Sequence, residues 1–225
     1  MRPRTGAITR PWRVAFLLAT IAIVLGAGGC ATMGSIRGTL AVPPGALDRD
    51  SLRMAHRDPP ARRASIRDAV AYVADENAAK PRPAGPRERR HVRETPAGFQ
   101  PYVIVVPAGT TVVFENRDRV YHNAFSRAIA KPFDTGFCAP GQKRSVTFDR
   151  PGVVDIYCEI HPRDVGFVVV LPNQLYAQPN ARGAFKLPPL AAGTYTVKAW
   201  HPSYGETSSR VRVPQKDGDS VHLSF

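Results

Sequence analysis

The chain contains the stretch Val153-Val-Asp-Ile-Tyr-Cys-Glu-Ile-His-Pro-Arg-Asp-Val-Gly-Phe-Val-Val-Val-Leu171. Two apolar runs, at 153–157 and 166–171, flank a short polar segment that contains a proline. Short runs rich in β-branched and aromatic residues, bounded by turn residues, are typical of strands. The stretch therefore predicts two neighbouring strands joined by one tight loop.

The same pattern continues in both directions from this stretch. Further short apolar runs, each bounded by Pro- and Gly-containing turns, occur at 102–106, 111–115, 145–148, 183–187, 194–200, 209–213 and 220–225. Chain-wide, 22 Pro and 18 Gly interrupt the sequence too often for a helical bundle. An all-β protein, a sandwich or barrel of short strands, is predicted.

Composition shifts divide the chain into predicted parts: a first domain over 34–171 and a small β-domain over 172–225. Within the first domain, short strands are expected at 35–41 and 69–73. An Arg- and Pro-rich loop insertion covers 48–95, which holds 12 Lys and Arg and 8 Asp and Glu. We expect these segments of mixed charge to be solvated loops. Contact with anionic lipid or with an acidic partner is the alternative.

The first 29 residues are predicted to be a secretory signal. Arg2, Arg4, Arg10 and Arg13 precede an apolar run at 14–27, which is short for a membrane span, and small residues then lead to Cys30. The segment 25–30 resembles a bacterial lipobox, which would make Cys30 the lipidated first residue. An ordinary signal cleaved nearby and a retained short anchor are the alternatives. We expect a periplasmic protein, lipid-anchored to a bacterial membrane, the outer membrane in a Gram-negative cell.

The net charge of +13 raises the question of nucleic acid binding. Four of the basic residues lie in the predicted signal, and the Arg-rich segments lack the interleaved aromatic residues that stack on bases. Export also separates the protein from nucleic acid. No nucleic acid partner is expected, and the remaining basic character suggests an acidic redox partner or an anionic membrane.

Metal-binding residue types concentrate around the two central strands. Cys158 and His161 share one loop, and His122 follows the strand predicted at 111–115. Two imidazoles and a thiolate favour copper or zinc, because these ligands are too soft for magnesium or calcium. The sequence therefore predicts a metal site at one end of the sandwich.

At these residues the sequence resembles the cupredoxins, the blue-copper proteins that include plastocyanin and amicyanin. The segments that carry the resemblance are 106–116, Tyr121-His-Asn123, 148–152 and Tyr157-Cys-Glu-Ile-His-Pro162. More narrowly, the segments 122–126, 133–136 and 193–201 resemble bacterial methylamine utilisation protein-like cupredoxins. The resemblance covers about residues 99–201.

This resemblance implies a Greek-key β-sandwich that binds one copper ion through His122, Cys158 and His161. It also implies that the Asn123 side chain ties the two ligand loops together. One-electron transfer in the periplasm, with the exposed edge of His161 as the exit point, is the implied function.

Asp164 departs from the family pattern, because amicyanin-like loops have an axial Met there and the only Met residues here are Met1, Met33 and Met54. A bound carboxylate would favour Cu(II), lower the reduction potential and weaken the blue colour. If Asp164 turns outward, a three-coordinate site remains. The set His122, Cys158, His161 and Asp164 would also suit tetrahedral zinc.

Other interpretations of these residues stay open from the sequence. Cys158 could pair with Cys138 in a disulfide, or act with His161 as a nucleophile. No hydrolase, phosphate-loop or metalloprotease motif occurs, and an enzyme is not expected. Metal binding, storage or partner docking without redox turnover is the alternative function. The C-terminal segment resembles transthyretin-like or carboxypeptidase-regulatory-like modules through 180–185 and 189–195, and no site is assigned to it.

Overall fold

The structure is a computed structural model that describes residues 33–42, 64–75, 78, 88–214 and 220–225. The predicted signal and Cys30 lie outside the described residues. Residues 31–225 group as one compact unit. Within the described part, no helix has the length and apolar character needed to cross a membrane.

The described residues form strands, turns and one short 3-10 helix, Ile66–Asp68. In chain order the strands are β1 (Met33–Gly34), β2 (Arg37–Ala41), β3 (Val70–Val73), β4 (Arg89–Thr95), β5 (Gly98–Gln100), β6 (Val103–Pro107), β7 (Thr110–Asn116), β8 (Phe125–Ser126), β9 (Phe133–Asp134), β10 (Lys143–Phe148), β11 (Gly152–Tyr157), β12 (Val165–Leu171), β13 (Tyr176–Ala177), β14 (Ala184–Lys186), β15 (Leu190–Ala191), β16 (Gly193–His201), β17 (Gly205–Val213) and β18 (Val221–Ser224). The prediction of an all-β fold is confirmed.

Two sheets form a first sandwich, with strand orders β10-β7-β4-β5 and β6-β12-β11-β8-β9. The chain passes between the two sheets several times. As a result β4 pairs in parallel with β7, and β6 pairs in parallel with β12. The core between them includes Val112, Phe114, Phe148, Ile156 and Val168, each at most 1% exposed. Alternate apolar residues along β7 and β11 face this core.

The strands β6 and β12 read as nearly continuous apolar runs because both of their faces are buried. One face contributes Val106 and Val168 to the sandwich core, and the other contributes Val103 and Phe167 to a second cluster. Val70 of β3 also belongs to this second cluster. The second cluster joins the first sandwich to the rest of the unit.

The remaining strands form two further sheets, β13-β3-β16-β17 and β14-β2-β18, and a small β1-β15 pair. Their core is apolar, and Ile36, Val73, Val197 and Ala199 in it are fully buried. The N-terminal strands β2 and β3, which the composition shifts place in the first domain, pair with C-terminal strands. Local alternation predicts a strand but carries no information about its hydrogen-bonding partner.

The end of the Arg-rich segment forms the strand β4, although a loop is predicted up to residue 95. β4 lies between β7 and β5, and it is paired along both edges. Val92 and Glu94 face inward, while His91 and Arg93 are exposed. Because a charged residue occupies an inward position, the alternation that normally marks a half-buried strand is missing from the sequence.

Candidate metal centre

The first loop of the site follows β7 and is organised by Asn116. The Asn116 amide nitrogen donates to the carbonyl oxygens of Val120 at 2.7 Å and Cys138 at 2.8 Å. Backbone hydrogen bonds in both directions then pair His122 with Cys138, at 3.2 and 2.7 Å. These bonds fix the backbone on either side of the His122 imidazole.

The second loop, between β11 and β12, closes on itself. The N–H of Cys158 donates to the carbonyl oxygen of Asp164 at 3.2 Å, and the N–H of Asp164 donates to that of His161 at 2.9 Å. This tight turn holds a thiol, an imidazole and a carboxyl on one side of the loop. Asn123 links the two loops, because its side-chain oxygen accepts from the N–H of Glu159 at 2.7 Å.

The side chains of His122, Cys158, His161 and Asp164 converge, with one ligand atom from each lying within 4.8 Å of all the others. The Nδ1 atoms of the two histidines are 3.2 Å apart, and Cys158 Sγ lies 3.8 Å from His122 Nδ1 and 3.5 Å from His161 Nδ1. Asp164 Oδ2 lies 3.4 and 3.8 Å from the same nitrogens.

These distances fit a single four-coordinate metal ion. A tetrahedron with metal–ligand bonds of about 2.0 to 2.3 Å has edges of about 3.3 to 3.8 Å, close to the donor separations given above. Four groups with lone pairs aimed at one point repel one another unless protons or a cation lie between them. The donor set, two imidazoles with a thiol and a carboxyl, suits copper and zinc.

The centre is largely shielded from water. His122 is 2%, Cys158 3% and Asp164 8% exposed, whereas the side chain of His161 is 35% exposed. Burial raises the pKa of the Cys158 thiol, and hydrogen bonds from nearby backbone N–H groups oppose this shift. Burial also raises the pKa of the Asp164 carboxyl, against the effect of the two neighbouring histidines. A metal ion would compensate both buried anions.

Cys138 is close to the centre in the fold but is not one of its donors. Its backbone pairs with His122, yet Cys138 and Cys158 are both free thiols, so the structure has no disulfide between them. Burial raises the pKa of the Cys138 thiol. The remaining predicted residue, Cys30, lies outside the described part of the chain.

Two acidic residues near the centre were not found from the sequence. Asp118 Oδ2 lies 3.1 Å from Nε2 of His122. Glu94 of β4 is 2% exposed, and its Oε2 atom has no hydrogen-bond partner within the described residues. Burial raises the pKa of Glu94 to about 6; His122 opposes this shift and Asp164 adds to it. Asp118 precedes His122 by four residues, a spacing that carries no signal outside a helix.

Comparison with known proteins gives similarities to copper proteins over part of the chain. No family model and no curated protein matches. A purple cupredoxin from Nitrosopumilus maritimus is 28% identical over 36% of this chain and 97% of its own, with a TM-score of 0.33. A tryptophan-to-tyrosine mutant of amicyanin in its reduced state is 25% identical over 44% of this chain and 97% of its own, with a TM-score of 0.34.

A Cu-containing nitrite reductase from Thermus scotoductus SA-01 is 30% identical over 44% of this chain, with a TM-score of 0.35. The match spans only 25% of the reductase. Because these TM-scores are low, the metal centre is inferred from its own donor geometry and not from these neighbours.

Proposed function

We propose that this protein is a mononuclear copper protein of the cupredoxin class that carries single electrons. The observation that carries the proposal is the convergence of His122, Cys158 and His161 donor atoms, 3.2 to 3.8 Å apart, at one end of a β-sandwich. A bound copper ion would supply one-electron chemistry between Cu(II) and Cu(I).

The protein side chains supply the conditions for rapid electron transfer. Cys158 would hold copper through its thiolate, and the covalency of that bond would give electrons a path into β11. The hydrogen bonds of Asn116 and Asn123 hold both ligand loops in place, so the donors need move little when the charge of the site changes. Burial of three of the four donors excludes water from the site.

We propose the half-exposed edge of His161 as the point where electrons leave. The neighbouring residue Ile160 is 41% exposed, and Tyr121 and Phe137, which flank the paired His122 and Cys138, are 57% and 61% exposed. Large exposed apolar side chains beside a redox centre favour close approach of another protein. Arg119, in the loop that follows β7, and Arg127, directly after β8, are also exposed, which favours an acidic partner.

The experiment is reconstitution of the metal-free protein with Cu(II), followed by absorption spectroscopy and voltammetry. Electron transfer predicts an intense visible thiolate-to-copper charge-transfer band and reversible redox cycling. The same measurements on Asp164→Met test the fourth position: a bluer protein with a higher reduction potential would show that Asp164 acts on the metal. A colourless protein that takes zinc as readily as copper would contradict the proposal.

Storage or delivery of copper or zinc without redox turnover is the second candidate function. It is favoured by Asp164, whose carboxylate lies 3.4 Å from His122 Nδ1 and completes a set that zinc also accepts. In both cases we propose a carrier role, with the metal held by His122, Cys158, His161 and Asp164.

We also propose export to the periplasm with a lipid on Cys30. The support is the order of basic, apolar and small residues over 1–30. Radiolabelled palmitate should be incorporated into the wild-type chain and not into Cys30→Ala, and both chains should appear in the exported fraction. Labelling of Cys30→Ala at the wild-type level would place the lipid elsewhere.

A further inference from the structure

His122 has a partner on each of its two ring nitrogens. Nδ1 faces the donor cluster, and Nε2 lies 3.1 Å from Oδ2 of Asp118. A carboxylate accepts hydrogen bonds and cannot donate them when ionised, so this contact requires the proton of His122 to be on Nε2. The Nδ1 lone pair is then directed toward Cys158 and His161.

The Asp118 carboxylate is held in place independently of His122. Its other oxygen accepts from the N–H of Arg119 at 2.6 Å, and its own N–H donates to the side-chain oxygen of Asn116 at 2.8 Å. The side chain of Asp118 is only 13% exposed. Aspartate carboxyls are ordinarily ionised at neutral pH.

An ionised acceptor does more than orient the ring. A neutral carbonyl at Nε2 would select the same tautomer, but a negative charge also makes Nδ1 a stronger electron donor. A stronger donor stabilises Cu(II) more than Cu(I), because the more highly charged ion gains more from added electron density. The carboxylate should therefore lower the reduction potential of a metal held at Nδ1.

We propose that Asp118 is a positioning residue of the metal centre: it keeps the proton of His122 on Nε2 and biases bound copper toward Cu(II). The position of the His122 proton concerns the metal-free chain. The bias toward Cu(II) rests on the proposed copper function. The two halves are tested separately, so that failure of one is distinguishable from failure of the other.

The first test is long-range ¹H–¹⁵N NMR of the metal-free protein, which reports which ring nitrogen of His122 carries a proton. We expect a proton on Nε2 in the wild type and a loss of this preference in Asp118→Ala. Asp118→Asn, which keeps an acceptor oxygen, should retain it. A wild-type His122 without a proton on Nε2, or an Asp118→Ala spectrum equal to the wild type, would overturn the positioning role.

The second test titrates the same variants with Cu(II) and Cu(I) and measures their potentials. Asp149→Asn is the matched control: it removes the same charge from an exposed residue that follows β10 at the end remote from Asn116. Asp118→Ala should weaken Cu(II) binding by about 10- to 100-fold, as loss of a ligand's outer partner commonly does. Asp118→Asn should weaken Cu(II) binding more than Cu(I) binding and raise the potential, whereas Asp149→Asn should change neither.

Equal losses of Cu(II) and Cu(I) affinity in Asp118→Asn, or a potential shift no larger than that of Asp149→Asn, would overturn the electronic role. A wild type without a charge-transfer band would instead defeat the copper function and, with it, this second half. In that case the NMR result still decides the positioning role. Circular dichroism of each metal-free variant identifies any change that comes from loss of the fold.

Discussion

At the scale of single residues, the two cysteines of the first sandwich have different environments. Cys158 presents its sulfur to two histidine nitrogens, whereas Cys138 contributes its backbone to the pairing with His122. Both are buried, and neither forms a disulfide. The metal centre therefore depends on the side chain of one cysteine and on the main chain of the other.

This difference predicts opposite results for two matched substitutions. Cys158→Ala should abolish the thiolate-to-copper band, because Cys158 supplies the thiol of the donor cluster. Cys138→Ala should keep the band and cost about 1 kcal/mol in stability, since it removes only a small buried group. Visible absorption of the copper-loaded variants checks both. Loss of the band in Cys138→Ala would show that its sulfur takes part.

The buried carboxyl of Glu94 lowers the free energy of unfolding at neutral pH. The pKa of this carboxyl is raised from 4.5 to about 6 by burial, so the folded state binds its proton more tightly than the unfolded state does. Its contribution to stability is complete below pH 4.5 and is lost as the pH rises through 6. The loss amounts to about 2 kcal/mol at neutral pH.

Because glutamine stays uncharged, the Glu94→Gln variant should not lose this free energy of unfolding as the pH rises. In urea unfolding of the metal-free protein, we expect the stability of Glu94→Gln relative to the wild type to increase between pH 4.5 and pH 7.5. Glu115→Gln is the control with the opposite sign, because Lys143 and Arg117 lower the pKa of Glu115 and stabilise its charged form. Parallel pH profiles for Glu94→Gln and the wild type would contradict the burial argument.

At the scale of elements, the N-terminal strand β2 is held by the turn that precedes β14. The N–H of Leu40 donates to the carbonyl oxygen of Gly183 at 2.8 Å, and Gly183 has a φ of +78°. A Cβ atom at Gly183 would overlap the carbonyl oxygen of Leu40. This close approach of two backbones is possible only without a side chain.

Gly183→Ala should consequently destabilise the protein more than Gly109→Ala. Both glycines have positive φ, at +78° and +86°, so both variants lose about 1 to 2 kcal/mol to backbone strain. Nothing lies within 4 Å of a Cβ atom at Gly109, whereas the overlap at Gly183 should add about 1 to 3 kcal/mol. Urea unfolding measures the difference. Equal losses would mean that β2 does not pack against this turn.

Neither glycine substitution should alter the copper spectrum. Gly183 lies in a turn beside the sheets built from N- and C-terminal strands, while the four donors lie at one end of the first sandwich. A spectral change in Gly183→Ala would show that the second pair of sheets influences the metal centre.

At the scale of the whole molecule, the excess of basic residues should govern encounters with redox partners. The chain carries a formal charge of +13 and stays basic when the four arginines of the predicted signal are removed. A positive protein attracts an anionic partner over a distance set by the Debye length, about 10 Å at 0.1 M salt.

The copper-loaded protein should therefore respond to salt in a direction set by the charge of its oxidant. Stopped-flow oxidation of the Cu(I) form by ferricyanide should slow by about 10-fold as the ionic strength rises from low values to about 0.3 M. Oxidation by a cationic cobalt complex should become faster over the same range. Salt-independent rates with both oxidants would contradict electrostatic steering.

The sequence by itself determined the local features of this protein. Alternating and continuous apolar runs between Pro- and Gly-containing turns predicted most of the strands and the all-β class, because side-chain periodicity reports directly on burial. The spacing of Cys158 and His161 on one loop predicted two donors able to face one ion, and left open whether Asp164 turns toward it. These are short-range properties, set by a few neighbouring residues.

Only the tertiary structure decided which distant segments meet. It placed β2 and β3 with C-terminal strands and made the charged segment Arg89–Thr95 an inner strand, because strand partners are chosen by packing and not by local pattern. It also brought Asp118 to Nε2 of His122 and left Glu94 buried beside the centre. Isolated acidic residues look alike in a sequence, and only the fold distinguishes a solvated carboxylate from one that faces a histidine or the core.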